Sequence, residues 1–333
     1  NKAYKRVKAN KGAPGIDGMT VEEALPYLKE HQQELTDRIY RGKYTPSPVR
    51  RVEIPKQDGG VRKLGIPAVI DRILQQAIAQ QLVPIYEPLF ADGSYGYRPN
   101  RSAKEAILKV KEYAGQGFTF AVALDLSKYA DDIVLLAKSK RASERLLESS
   151  TKYLEGKLKL TVNREKSRTV SVFAIRNFKF LGFALGRNGS GIYVRVHAKS
   201  WKKFKSKLKE LSSRRTVQSI KPSLGKIKVY ARGWLNYYGI ASMKNNIDDI
   251  NGWLYHRIRM CIWKQWKKPR TKVRNLIKMG LPEDLAWQTG NSRRGHWFTT
   301  HTVAVNMAMT KERLISSGFY DLATAYQSMH VNY

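Results

Sequence analysis

Cysteine, acidic residues and long apolar runs are what this 333-residue sequence has least of. The single cysteine, Cys261, excludes disulfides within the chain and any zinc site built on several thiolates. No apolar stretch approaches the roughly 18–20 residues needed to span a bilayer. The basic opening NKAYKRVKAN is not followed by an apolar core, so neither membrane insertion nor secretion is indicated. The chain opens on Asn1 rather than Met, which reads as a trimmed N-terminus, and a location in a bacterial cytoplasm or nucleoid fits. Only 27 Asp and Glu face 61 Lys and Arg, a net charge of +34. A field of that strength draws polyanions, and nucleic acid is the natural partner. A hydrophobic content of 42% supports real cores in two or three domains, which excludes a disordered polycation.

Because acids are scarce, the place where they gather matters. Phe118 to Ser139 reads FTFAVALDLSKYADDIVLLAKS. It holds two apolar runs of strand length, Ala121 to Leu126 and Ile133 to Ala137, with Asp125 closing the first and Asp131 and Asp132 opening the second. If the strands are antiparallel neighbours, the three carboxylates meet at one rim of a sheet. They would offer hard oxygen ligands suited to Mg²⁺, the layout of a two-metal phosphoryl-transfer site. The same residues also suit ordinary solvated turns, since Asp is common where strands end. YADD before an apolar strand, with an Asp-ended strand upstream, resembles the palm of a reverse transcriptase.

Other segments resemble the group II intron reverse transcriptases in particular. NKGAPGIDG, within the turn-rich Lys11 to Thr20, is similar to their N-terminal segment, which contacts RNA; without a following Lys-Ser/Thr it is no P-loop, and it reads as a tight loop before a helix. Arg50 to Ile66 alternates apolar and charged residues around Asp58-Gly59, which predicts a hairpin. By itself that is a solvated basic hairpin, but its IPK…GG.R…GIP pattern is similar to the family's fingers. The resemblance implies that Lys56 and Arg62 hold the incoming nucleotide. Pro67 suits the first position of a helix whose stripe Ile70, Ile73, Leu74, Ala77, Ile78 and Leu82 reads as core. SYGYRPNR mixes aromatic and basic groups as single-strand binders do. By resemblance Arg98 and Arg101 contact template, while Ser102 and Glu105 form a capping box. After YADD come a helix over about 141–155, the alternating LKLTVN, then REKSR and a short strand FKFLGF over 178–183. Lys166 is either a phosphate or nucleotide contact or a solvated lysine.

Composition shifts toward Lys, Arg, Trp and Tyr near residue 195. Three apolar stripes follow: Trp201, Phe204, Leu208 and Leu211; Ile227, Ala231, Trp234 and Tyr238; and Ile247, Ile250, Leu254, Ile258 and Ile262. They predict a three-helix bundle whose other faces carry Lys202, Lys203 and Lys207. RGWLNYYG and RMCIWKQWKK resemble the family's thumb or maturase domain, and Lys264 and Lys267 lie in a run too dense for packing alone. GNSRRGHWFTT resembles its C-terminal DNA-binding region. His296 and His301, five apart without acidic or thiol companions, do not make a metal site, and no endonuclease module is expected.

The sequence is therefore read as similar to a compact group II intron-encoded reverse transcriptase/maturase. The implied class is α+β, a right-hand polymerase fold followed by an α-helical thumb/maturase domain and a small basic C-terminal region. Expected boundaries are 1–117 for fingers with an N-terminal extension, 118–195 for palm, 196–270 for thumb/maturase and 271–333 for the DNA-binding region. Implied partners are group II intron RNA, template RNA with primer DNA, target DNA and deoxynucleoside triphosphates, with a two-metal Mg²⁺ site and no membrane. The implied activities are RNA-directed DNA polymerisation, splicing assistance and retrohoming. The alternatives are a non-catalytic RNA-binding splicing factor and a non-intron reverse transcriptase, for example one serving defence. In the family a long palm segment, with a nucleotide-lining Pro-Gln-Gly turn and the strand leading into YADD, separates Asp-Leu-x-Lys from Tyr-Ala-Asp-Asp. Here Lys128 runs directly into Tyr129. A genuine deletion would leave metal ligands without a nucleotide pocket and only RNA binding; the intact flanking motifs favour the other reading, that these two residues are not bonded neighbours but flank an omitted stretch.

Overall fold

The structure is a computed structural model that describes residues 1–55, 60–126, 133–213 and 219–330. It divides into two compact units, Asn1–Ser94 and Tyr95–Tyr333.

In the first unit, helices α1 (Lys2–Ala9), α2 (Ala24–Glu30) and α3 (Gln32–Tyr40) precede a hairpin of β1 (Arg50–Pro55) and β2 (Val61–Ile66), then α4 (Val69–Tyr86). The core is small: Ala3, Tyr4 and Val7 from α1, Val21, Ala24, Leu35, and Val69, Ile70 and Ile73 from the first turns of α4. The hairpin has the expected antiparallel form, from Arg50 opposite Ile66 to Pro55 opposite Val61. Two expectations need correction. Pro67 is not the first helical residue, because Ala68 is still extended and its carbonyl accepts the Arg72 amide as the helix begins. Ala68 is held there by the glycine loop, where a Cβ on Gly15 would collide with the Ala68 backbone, and Arg72 donates to the Ala13 carbonyl at 2.8 Å. The stripe of α4 is core only over its first half. Ile78 and Leu82 are 58% and 44% exposed, because the layer formed by α1 and α2 ends before it reaches them.

The second unit opens with α5 (Ala103–Gly115), whose capping box between Ser102 and Glu105 forms as expected. A three-stranded antiparallel sheet follows in the order β4-β3-β5, with β3 (Phe120–Leu124) between β4 (Ile133–Ala137) and β5 (Arg168–Ser171). Helix α6 (Lys140–Gly156) packs on that sheet, and Ser139 caps it by accepting the Ala142 amide. LKLTVN contributes one bridge, Val162 to Leu126, rather than a strand. FKFLGF is likewise mostly turn. Leu181 and Gly182 take successive positive φ values of 50° and 85°, so β6 (Phe183–Asn188) starts only at its last residue and pairs with β7 (Gly191–Val196). The positive φ at Gly182 favours glycine, and a side chain there would strike the Tyr238 hydroxyl.

The three expected helices are α7 (Ala198–Leu211), α8 (Ile220–Tyr238) and α9 (Lys244–Gln265). Phe204, Leu208, Ile227, Ala231, Leu235, Ile247, Leu254 and Ile258 are fully buried between them. Trp234 stacks on Phe204 at 4.0 Å between ring centroids and lies 4.9 Å from Trp201, so these tryptophans pack rather than project. Among the described residues six short helices follow: α10 (Pro269–Lys278), α11 (Glu283–Gly290), α12 (His296–Thr299), α13 (Val303–Ala308), α14 (Lys311–Ser316) and α15 (Leu322–His330). Residues from α10, α11 and α13 form a separate core around Trp263, whereas Leu314, Phe319, Leu322 and Tyr326 return to the main one.

Candidate functional site

Asp125 leaves the end of β3, and its position is built by a neighbouring turn. The Asn163 amide donates to the Asp125 carbonyl at 2.7 Å, and the Asp125 amide donates to Ser167 Oγ at 3.1 Å. That turn closes on itself, the Ser167 amide donating to the Asn163 carbonyl at 2.9 Å. Its fourth residue, Lys166, thereby comes to Asp125, Nζ to Oδ2 at 3.2 Å, with side chains 71% and 35% exposed. Strands β3 and β4 are antiparallel neighbours with Leu124 opposite Ile133, so the end of β3 and the start of β4 lie side by side at one end of the sheet. Asp131 and Asp132, and the Lys128–Tyr129 junction between the strands, lie outside the described residues, as does Lys56 in the hairpin loop. Arg62 sits opposite Ile54 in the hairpin register, its side chain being outside the description. Among the described residues no three Asp, Glu, His or Cys side chains gather as a metal-holding group. Asp125 is a partly exposed carboxylate that faces the Lys166 ammonium.

The basic residues lie on two kinds of surface. Arg101 places its guanidinium 5.3 Å over the Tyr95 ring, and Tyr97, in a left-handed conformation at φ 56°, is 94% exposed in the same turn. Arg98 belongs to that turn as well. On α7, Lys202 and Lys203 are exposed, while Lys207 reaches Glu210 at 2.6 Å. Lys264 and Lys267 are exposed at the end of α9 and just beyond it.

Several contacts were not visible in the sequence reading. Lys205 and Arg257 both lie over the Trp253 ring, at 5.2 and 5.1 Å. Arg257 Nη2 also donates to the Lys209 and Ser212 carbonyls at 2.9 Å, latching the C-terminal end of α7 to α9. The spacing of Trp253 and Arg257, four apart on one helix, was the available signal. Asp321 is a buried hub that accepts from Tyr255 at 2.7 Å, Asn251 at 3.3 Å, Lys311 at 2.9 Å and the Thr324 amide at 2.7 Å. Burial pushes its carboxyl up, but the bonds from Thr324, Lys311, Tyr255 and Asn251 outweigh that and hold it well below the ordinary range. His301 stacks on His256 at 3.7 Å between ring centroids.

Residues 201–280 match the family described as group II intron, maturase-specific domain. A 131-residue stretch is 42% identical to Protein YkfC of Escherichia coli K12, covering 38% of this chain and 34% of that protein. A 132-residue stretch is 36% identical to the group II intron-encoded protein LtrA of Lactococcus lactis subsp. cremoris, covering 39% and 22%. A putative COX1/OXI3 intron 2 protein of Saccharomyces cerevisiae is 34% identical over 134 residues, covering 39% and 15%. The chain is similar to group II intron-encoded proteins and carries a match to their maturase-specific domain. It spans about a third or less of the length of these curated relatives. The maturase-specific domain runs from Trp201 in α7 through α8, α9 and α10 to Gly280, and Lys202, Lys203, Lys207, Lys264 and Lys267 all fall inside it. No helix among the described residues is long and apolar enough to cross a membrane.

Proposed function

We propose that this chain binds group II intron RNA and assists its splicing, the intron itself carrying the chemistry. The observation that carries this is the two-sided construction of α7 within the maturase-specific domain. Phe204 and Leu208 are buried while Lys202, Lys203, Lys205 and Lys209 face solvent on the same helix. Such a face tracks phosphates by shape and charge, which is how structured RNA is held when its bases are inaccessible. A location in a bacterial cytoplasm or nucleoid suits that role. The test is a splicing assay on a group II intron precursor at a Mg²⁺ concentration too low for self-splicing. Spliced product with the protein supports the reading, and none at any protein concentration contradicts it.

A second reading, RNA-directed DNA polymerisation leading to retrohoming, is favoured by Asp125 at the end of β3 beside the start of β4. Asp125, Asp131 and Asp132 would hold Mg²⁺. When bound, that cation supplies charge neutralisation for attack of a primer 3′-hydroxyl on a nucleotide. By the resemblance, Lys166 would meet the phosphates of a deoxynucleoside triphosphate, Arg98 and Arg101 the template RNA with its primer DNA, and the region after residue 270 target DNA; Lys56 and Arg62 are each read, within the first unit, as nucleotide contacts. Against it stands the short connection in the sequence, only the eight residues 125–132 between paired Leu124 and Ile133, where relatives place a nucleotide-lining segment. Primer extension on an RNA template decides it. Activity abolished by Asp125→Asn and weakened in nucleotide KM by Lys56→Ala and Arg62→Ala supports polymerisation, whereas no extension leaves RNA binding as the function.

A further inference from the structure

Helix α7 begins against the usual electrostatic rule. Its first turn carries no acidic residue, and Lys199 places a cation at the end where the helix dipole is already positive. The backbone gathers more charge there. The His197 amide donates to the Gly182 carbonyl at 3.1 Å and Ser200 Oγ donates to the same carbonyl at 3.0 Å, which ties the start of α7 to the turn before β6. Arg195 comes just before, in β7 opposite Ala184. From α8 the Tyr237 hydroxyl donates to the Leu181 carbonyl at 3.0 Å, and the Tyr238 hydroxyl lies beside Gly182. At the centre His197 is 4% exposed, its Nδ1 accepts the Lys199 amide at 3.2 Å, and its Nε2 is buried without a hydrogen-bond partner. Burial first, then Lys179, Lys199 and Arg195, hold the imidazole below the usual 6.5, against a pull the other way from the Arg176 backbone. Three segments therefore bring a cation each to one point. Among the described residues none of Lys179, Arg195 and Lys199 has an acidic partner.

We propose that Lys179, Arg195 and Lys199 form a phosphate site at the head of α7, filled by one backbone phosphate of bound RNA. The proposal rests on the RNA-binding reading and gives the lysine-bearing surface of α7 a fixed starting point. Three cations without an acid, at the positive end of a 14-residue helix, repel one another until an anion enters. A free oxyanion would satisfy that cluster as well. The exposed Lys202, Lys203, Lys205 and Lys209 continue from it along the same helix, which suits a ligand with successive phosphates. His197 reports on occupancy. An anion offsets the neighbouring cations, so the imidazole takes up its proton at a higher pH when the site is filled.

The test is an NMR pH titration of isotope-labelled histidine in the full chain, with the His197 signal assigned by its loss in His197→Gln. The protein is titrated in chloride, in sulfate at matched ionic strength and with a short RNA hairpin, and RNA affinity is measured on the same samples by fluorescence anisotropy. The proposal expects His197 to titrate at a higher pH with sulfate and with RNA than in chloride. Replacing Arg195→Gln together with Lys199→Gln should abolish both shifts and lower the salt dependence of RNA affinity by about 0.7 log units or more. Lys226→Gln with Lys228→Gln, which removes as much charge from exposed positions on α8, should leave the His197 shifts in place. Shifts that survive the first pair, or vanish equally with the second, overturn the assignment to these residues. A response to sulfate but not to RNA overturns the RNA phosphate as occupant. No response to either while RNA still binds overturns the site and leaves the RNA-binding reading standing, whereas no RNA binding at all contradicts that reading itself.

Discussion

Asp321 shows how one residue fastens the end of the chain. Its side chain is only 6% exposed and satisfies groups from α9, from α14 and from its own helix start, so removing it strands Tyr255 and Asn251 beside a cavity. Asp321→Ala should cost about 3–5 kcal/mol in chemical denaturation, the range for breaking one partner out of a buried charged pair. Its folded carboxyl lies below the unfolded value of 3.8, so this stability is fully present above that pH and is lost only as pH falls below it. His256 works in a higher window. Burial first, then His301 and Arg259, hold its imidazole below the usual 6.5, against a backbone bond at Thr300 that pulls the other way. The unfolded chain then binds the proton more readily, so stability is complete above about 6.5 and declines as pH falls through and below it. His197 is depressed similarly by burial, and the informative quantity is the difference from a variant. His256→Phe should flatten the fall in Tm between about pH 6.5 and 5; an unchanged slope would assign the acid sensitivity elsewhere.

At the scale of elements, α7 divides its labour by face, with buried Phe204 and Leu208 opposite exposed lysines. Charge reversal at Lys203 and Lys207 should weaken RNA binding across sequences and flatten its salt dependence by about 0.7–0.9 log units per lost phosphate contact. An unchanged slope would remove α7 from the interface. Helices α7, α8 and α9 were legible in the sequence because their stripes repeat for several turns, and the Ser102–Glu105 cap and the Arg50–Ile66 hairpin because their signals are local. FKFLGF was not. Its alternation imitates a strand, but the chain makes a left-handed turn at Leu181-Gly182, where Gly182 packs against Tyr238, a neighbour distant in sequence. The outer half of α4 misled for a related reason, since a stripe reports amphipathic spacing and not how far the covering layer extends. Asp125 was legible as the acid ending a core strand; the turn that brings Lys166 to it was not, because backbone hydrogen bonds across 38 residues leave no periodic trace.

For the whole molecule, a net charge of +34 favours association with any polyanion, so binding alone distinguishes nothing. What separates a maturase from a general polycation is preference for a folded intron. The direct measurement is competition at about 150 mM salt between a folded group II intron RNA and an RNA of equal length and base composition that lacks the fold, where charge steering is screened beyond about 8 Å. The account predicts that the intron RNA binds at least about tenfold tighter, a difference of about 1.4 kcal/mol, and that charge reversal at Lys202, Lys203 and Lys264 erases most of it. Equal affinity for the two RNAs would contradict it.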